Sequence, residues 1–400
     1  MTDFSETKRL FSLPEGMIYL DGNSLGPLPT AAKDRVAACV QDEWGEMLIT
    51  GWNKAGWMAQ PRGLGDRIGR LIGAAPGSTV LGDTLSIKVY QALASALELR
   101  PGRKVILSDN GNFPTDLYMA DGLARSLGQG HRIETPAPED VAARIEAIHD
   151  DLAVLLLTEV DYRTGRRHDM AALIRAAHKV GALVVWDLAH SAGAFAVDVS
   201  GADADFAVGC TYKYLNGGPG APAFIYVAPR LSEHVRPALS GWLGHDAPFA
   251  FDLDYRPGDG VDRMRVGTPP VLQMAALEAA LDIWDQVDME ALRARSVALC
   301  EQFIAGVEAA CPDLRLASPR DAWARGSQVS FHFEHGYAAM QALIARGVIG
   351  DFRAPDIMRF GFTPLYIDEG DVDRAVETLT DIMAHRLWDR PAYHTRAAVT

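Results

Sequence analysis

Asp187 ends one strongly apolar run, in VVWDLAH, and Lys213 follows the next, in CTYKYLNGGPG, with a glycine-rich turn directly behind it. In an open α/β sheet, ligands gather outside the carboxyl ends of the strands, so an acid and a lysine at two such ends can face one crevice. A lysine there can condense with an aldehyde, and a carboxylate beside it can keep a ring nitrogen protonated. Those are the demands of pyridoxal phosphate, which also needs donors for its phosphate. A charged pyridinium is a better electron sink than a neutral ring, and pairing with it would favour the ionised form of Asp187.

Each residue also has a plainer reading. An arbitrary lysine at a strand end is a solvated surface group, and an isolated aspartate in this place is an ordinary cap. The surrounding string speaks against both, because Lys213 stands between aromatics ahead of a tight turn and Asp187 opens a D-x-A-H that ends on His190.

The elements that would carry this pair read as a mostly parallel sheet covered by helices, an α/β fold. Strands are predicted at 104–108, 153–158, 182–187, 205–210 and 223–227, each apolar enough for burial on both faces. Between the second and third, Met170, Leu173, Ile174 and Ala177 recur at helical spacing and Gly181 follows as a stop, which makes a βαβ unit. Another helix is expected from near Ser86 to just before Arg100-Pro101-Gly102. Residues 242–265, rich in Gly, Pro, Asp and aromatics, read as an irregular functional loop region. A helix follows from Pro270 to Trp284, and from about Asp288 a helix, two or three short strands and a final helix form a smaller α+β domain. The expected division is an N-terminal segment, 1–45, packing with the small domain, a large cofactor-binding domain, 46–285, and a small C-terminal domain, 286–400.

A chain of 400 residues with 48% hydrophobic and 22% charged side chains is long enough for that arrangement. Its net charge of -14 repels phosphate polymers, so nucleic acid is not an expected partner. The four cysteines, at 39, 210, 300 and 311, have no CxxC spacing. They support neither a disulfide scaffold nor a metal site, and they fit a reducing compartment. The first residues, MTDFSETKRLFSLPEG, lack the apolar core of a secretory signal, and no apolar run approaches the ~20 residues of a membrane span. A cytoplasmic protein with no membrane partner is therefore expected.

The D-x-A-H at 187–190 followed by T-x-K at 211–213 resembles the fold-type-I pyridoxal-phosphate enzymes, in the class V aminotransferase-like superfamily that holds cysteine desulfurases and kynureninases. YLDGNSLGPLP at 19–29, NFPTDLY at 112–118, TYKYLNGGPG at 211–220 and GWLGH at 241–245 resemble kynureninase signatures, in order and across nearly the whole chain. The resemblance implies pyridoxal 5'-phosphate on Lys213 and a homodimer whose active sites are completed by the neighbouring subunit. It also implies hydrolytic Cβ–Cγ cleavage of L-kynurenine to anthranilate and L-alanine in tryptophan catabolism, with 3-hydroxykynurenine as a further candidate substrate.

By the same resemblance, Phe113 stacks on the pyridine ring, Asp116 lies near its nitrogen, and Leu85 and Ser86 open a helix whose free N–H groups take the phosphate. Tyr212 donates to that phosphate and helps move protons, while Thr158 and His190 complete the pocket. Trp242 and Thr268 match positions supplied by the neighbouring subunit, Thr268 standing where some relatives carry asparagine. Trp52 falls where other relatives have a histidine in the aryl pocket, and an indole there should favour plain kynurenine. Arg359, with Arg353 upstream and Pro364-Leu365-Tyr366 downstream, matches the arginine that clamps the substrate α-carboxylate. Asn23 and Ser24, in the GNSLG string, are placed at the substrate. Taken without their strings, Phe113 and His190 would be core residues, Asp116 a loop acid, Ser86 an N-cap and Arg359 a surface side chain. The base for the attacking water is either Tyr212 with a phosphate oxygen or Lys213.

Two rival readings stand beside this one. A cysteine desulfurase, β-lyase or aminotransferase could share the fold, although a desulfurase needs a mobile cysteine and Cys300 and Cys311 fall in helical or helix-end contexts. A non-catalytic binding protein could also keep it, against which the retention of Lys213, Asp187 and Arg359 speaks.

Overall fold

The computed structural model describes residues 2–396. Its main sheet has seven strands: β1 (Thr79–Leu81), β2 (Val105–Leu107), β3 (Arg132–Glu134), β4 (Leu152–Thr158), β5 (Leu183–Asp187), β6 (Phe206–Gly209) and β7 (Phe224–Val227), in the order β1-β7-β6-β5-β4-β2-β3. Strands β3, β2, β4, β5 and β6 run parallel. Alternate residues of each strand point to opposite faces, and both faces are covered. On one, Val154, Leu156, Val185 and Val208 meet Val89, Leu93 and Ala96 of helix α1 (Leu85–Glu98). On the other, Leu155, Leu157, Val184 and Trp186 meet Ile174 and Ala177 of helix α3 (Met170–Lys179). Double-sided burial explains why these strands are continuously apolar.

The five predicted strands are present with ends shortened or extended by a residue. Strand β7 departs from the parallel expectation, pairing antiparallel with both β6 and β1. A strand buried on both faces looks the same in composition whichever way it runs. Strands β1 and β3, of three residues each, were not among the strands predicted.

The second sheet holds Arg315–Leu316, Gln328–His332, Ile357–Gly361 and Asp351–Arg353 in that order, all antiparallel. It is flanked by the long helix Met289–Ala310, which starts at an Asp288 cap, and by Glu369–Ala384, which starts in an Asp368/Asp371 capping box. This is more elaborate than the two or three strands expected, with helix Gly336–Ile344 inserted as well. Near the N-terminus, Ile18–Tyr19 pairs parallel with Val348–Ile349, while Arg35 forms an ion pair with Glu278 at 2.6 Å. Among the described residues, no helix is long and apolar enough to cross a membrane.

Candidate active site

Strand register assembles the first group. Thr158 and Asp187 are direct partners at the ends of β4 and β5, and the chain leaving β6 carries Tyr212 and Lys213 past them. Lys213 Nζ lies 3.1 Å from His190 Nε2 and 5.9 and 5.8 Å from the ring centroids of Phe113 and Tyr212. Asp187 accepts from the Ala189 N–H at 2.8 Å. Asp116, in the first turn of helix α2 (Pro114–Leu127), is equally buried, and its Oδ2 has no hydrogen-bond partner.

The electrostatics of this group follow from burial. Asp187 is pushed up to about 6 by desolvation, against the pull of Lys213. Asp116 is driven well above the usual carboxylate range by desolvation and by Asp187. Burial, then Lys213, holds His190 well below its ordinary value, so the imidazole is neutral. For Tyr212 the neighbouring Cys210, then burial, pushes ionisation up, which suits a hydroxyl donor better than a phenolate base. Two desolvated carboxylates, one with an orphaned oxygen, beside a single lysine have the character to receive a cationic ring nitrogen. The donor set therefore fits pyridoxal phosphate.

The phosphate end fits as well. Helix α1 opens at an extended Thr84 that makes no side-chain cap, so its first N–H groups, with those of Leu85 and Ser86, form an anion-binding terminus. A cavity of about 270 Å³ lies against this turn, bounded by Gly82, Asp83, Thr84, Gly220, Arg265 and Thr268. Thr268 of the same chain is thus at this terminus.

A second polar group forms on the smaller sheet, where Asp351 and Arg359 are cross-strand partners. Arg359 is fully buried; its Nε donates to Asp351 Oδ1 at 2.8 Å, its Nη2 to Asp351 Oδ2 and to Ser24 Oγ at 2.7 Å, and its Nη1 to the Tyr162 carbonyl. The Asn23 amide, with its oxygen turned inward, accepts from Nε at 2.9 Å. The Nε/Nη2 edge expected to be open for a substrate carboxylate is therefore filled by Asp351, since a guanidinium this buried requires a counter-ion. Arg353, a third exposed, pairs with the same Asp351 at 2.7 Å.

Gln328 joins the two groups. Its Oε1 lies 3.1 Å from His190 Nδ1, and its Nε2 donates to the Asp161 and Tyr162 carbonyls at 3.2 Å. The Tyr162 ring in turn meets Phe113 edge-on at 5.3 Å. Trp52 and Trp242 come together at 6.1 Å, and Trp242 continues to Phe249 at 5.8 Å. Among the described residues, no hydrogen bond or ring contact joins this aromatic row to Lys213. Gln328, Asp351, Asp21 and Tyr162 were not singled out in the sequence, although Asp21 lies inside the 19–29 string.

The kynureninase C-terminal domain family model matches residues 292–379. The chain is 51% identical over 396 residues to a kynureninase of Burkholderia pseudomallei and 48% identical over 400 residues to one of Pseudomonas fluorescens, in each case covering 98% of this chain and 95% of the relative. Among solved structures, cysteine desulfurases from Thermococcus onnurineus and Escherichia coli superpose with a TM-score of 0.81 at 16% and 21% identity, over 96% of this chain and 99% of theirs, which shows the shared fold. With about half of its residues identical to these relatives over nearly the whole chain, and with that fold, the chain belongs to the kynureninase family.

Proposed function

We propose that the chain hydrolyses L-kynurenine to anthranilate and L-alanine with pyridoxal 5'-phosphate held on Lys213, serving tryptophan catabolism. The observation that carries this reading is Lys213 Nζ, 3.1 Å from a neutral imidazole and beside the buried Asp187/Asp116 pair. When bound, the cofactor supplies the electron sink for charge developing on the substrate.

The chain's own residues do the rest. Asp187, with Asp116 near it, would hold the proton on the ring nitrogen, and Phe113 and His190 would hold the ring in place. The N-terminus of α1, with Ser86 and Tyr212, anchors the phosphate. Lys213, once the substrate amine displaces it, takes the α-proton at Nζ, and the resulting ammonium can donate to His190 Nε2. Arg359, with Ser24 and Asn23, orients the α-carboxylate. Because Asp351 occupies one edge of Arg359, the outward donors of Arg353 share that task. Trp52 forms the apolar wall against the aryl ring and favours plain kynurenine over its hydroxylated form. Lys213 takes the proton of the attacking water only after it has passed the α-proton back to the bound substrate and is again a free amine, while the raised ionisation point of Tyr212 keeps its hydroxyl a donor.

The working form is a cytoplasmic homodimer in which Trp242 completes the partner's site, while Thr268 lies at the phosphate terminus of its own chain. Supporting it is the row Trp242, Phe249 and Phe251, 39%, 62% and 78% exposed, an apolar surface of the kind a second copy covers. Four buried, unpaired cysteines fit a reducing compartment. The proposed division is 1–45 with 286–400 around 46–285, supported by the pairing of Ile18–Tyr19 with Val348–Ile349. The test is anthranilate fluorescence on adding L-kynurenine to the cofactor-loaded protein. Absence of the signal, with alanine released from cysteine instead, would support the desulfurase reading.

A further inference from the structure

We infer that Gln328 is a positioning residue that fixes which nitrogen of His190 carries the proton and ties the lysine to the arginine group; the inference rests on the reading that Lys213 is the reacting amine. The geometry leaves one orientation for the amide. Its Nε2 faces two backbone carbonyls, those of Asp161 and Tyr162, both at 3.2 Å, and a carbonyl can only accept. Nε2 must therefore be the amide nitrogen, which turns Oε1 toward His190 Nδ1 at 3.1 Å. An amide oxygen can only accept as well, so the imidazole proton sits on Nδ1. The bare Nε2 then faces Lys213 Nζ at 3.1 Å and can take a hydrogen bond only from the lysine. Two main-chain carbonyls thus set the tautomer of a ring two links away.

The same side chain reaches the substrate end. The Tyr162 carbonyl that accepts from Gln328 also accepts from Arg359 Nη1, and the Tyr162 ring packs edge-on against Phe113. Gln328 is wholly buried on the second sheet, opposite Gly361 in register, whereas His190 and Tyr162 follow strands of the first. Its position is crowded by design of the loop: at Gly165, φ +73°, a Cβ would come within 2.8 Å of Gln328 Cγ. Displacing Gln328 would therefore free His190 to flip and release the segment that seats both Arg359 and Phe113.

The test uses protein labelled with 15N at histidine, in the cofactor-free and loaded forms. The His190 signal is identified by its loss in His190→Asn. In the wild type, His190 should be neutral with its proton on Nδ1. Gln328→Met should convert it to a tautomer mixture and lower kcat/KM about 10- to 100-fold, the usual cost of losing the partner that fixes a ring tautomer. Ser330→Ala removes a different hydrogen bond from the same strand to the same loop, Ser330 Oγ to the Arg163 carbonyl at 2.5 Å, and should leave the tautomer unchanged and activity within about twofold. A wild-type proton on Nε2, an unchanged tautomer in Gln328→Met, or an equal change in Ser330→Ala would overturn the inference. Because the tautomer is read without cofactor or substrate, a protein that shows it yet leaves L-kynurenine intact would sink the proposed reaction and spare this assignment.

Discussion

Asp21→Asn should make the protein more resistant to unfolding at alkaline pH. Asp21 lies beside the arginine group, with one carboxylate oxygen buried and unpartnered. Burial and the negative charge of Asp351 raise it to about 7 from an ordinary 3.8, although Arg359 and Arg353 pull the other way. The folded chain therefore keeps this proton over a range in which the unfolded chain has lost it. Stability is full below about pH 4, falls as pH rises, and levels off above about pH 7. A tenfold change in a proton equilibrium is worth about 1.4 kcal/mol, so ionised Asp21 costs on the order of 4 kcal/mol in total. Part of that is already lost by pH 5, which leaves about 2 to 3 kcal/mol to appear between pH 5 and pH 8. Asparagine mimics the protonated acid at every pH. The unfolding free-energy difference between variant and wild type, measured by urea titration of the cofactor-free protein, should widen in the variant's favour by that amount between the two pH values. The same ionisation takes the arginine group from a net charge of about +1, two guanidiniums against Asp351, to about zero. Wild-type KM for L-kynurenine should accordingly rise as pH passes through about 7, and the variant's should not. Parallel pH profiles for both proteins would show that Asp21 is an ordinary ionised carboxylate.

Lys213→Ala should abolish both turnover and the covalent cofactor absorbance, and a Schiff base still reducible by borohydride in that variant would rule out the lysine. Asp351→Ala leaves the buried Arg359 without its counter-ion and should cost about 3 to 5 kcal/mol in denaturant unfolding, whereas a loss below about 1 kcal/mol would mean the guanidinium finds water or Asp21 instead. Trp52→His should shift the ratio of kcat/KM for 3-hydroxykynurenine over kynurenine upward by roughly tenfold, and an unchanged ratio would remove Trp52 from the aryl pocket.

The strands that build the candidate site were legible because double-sided burial leaves an unbroken apolar signature ending in a polar residue, as at Thr158 and Asp187. Helices α1 and α3 were legible through the spacing of Val89, Ala92, Leu93 and Ala96 and of Met170, Leu173, Ile174 and Ala177. The direction of β7 was hidden, since orientation does not change the composition of a buried run.

Local sequence determined which side chains stand at the strand ends and where helix α1 presents its N–H groups. Tertiary structure alone decided what those side chains touch. Gln328 meets His190 across 138 residues and Arg359 meets Tyr162 across 197, contacts created by sheet register and by the closing of one sheet over another. The filling of the Arg359 fork by Asp351 is of the same kind: eight residues apart in sequence, they become opposite only through the pairing of two short antiparallel strands. A hydrogen bond depends on a few tenths of an ångström between groups far apart along the chain, and no periodicity along the chain encodes that distance.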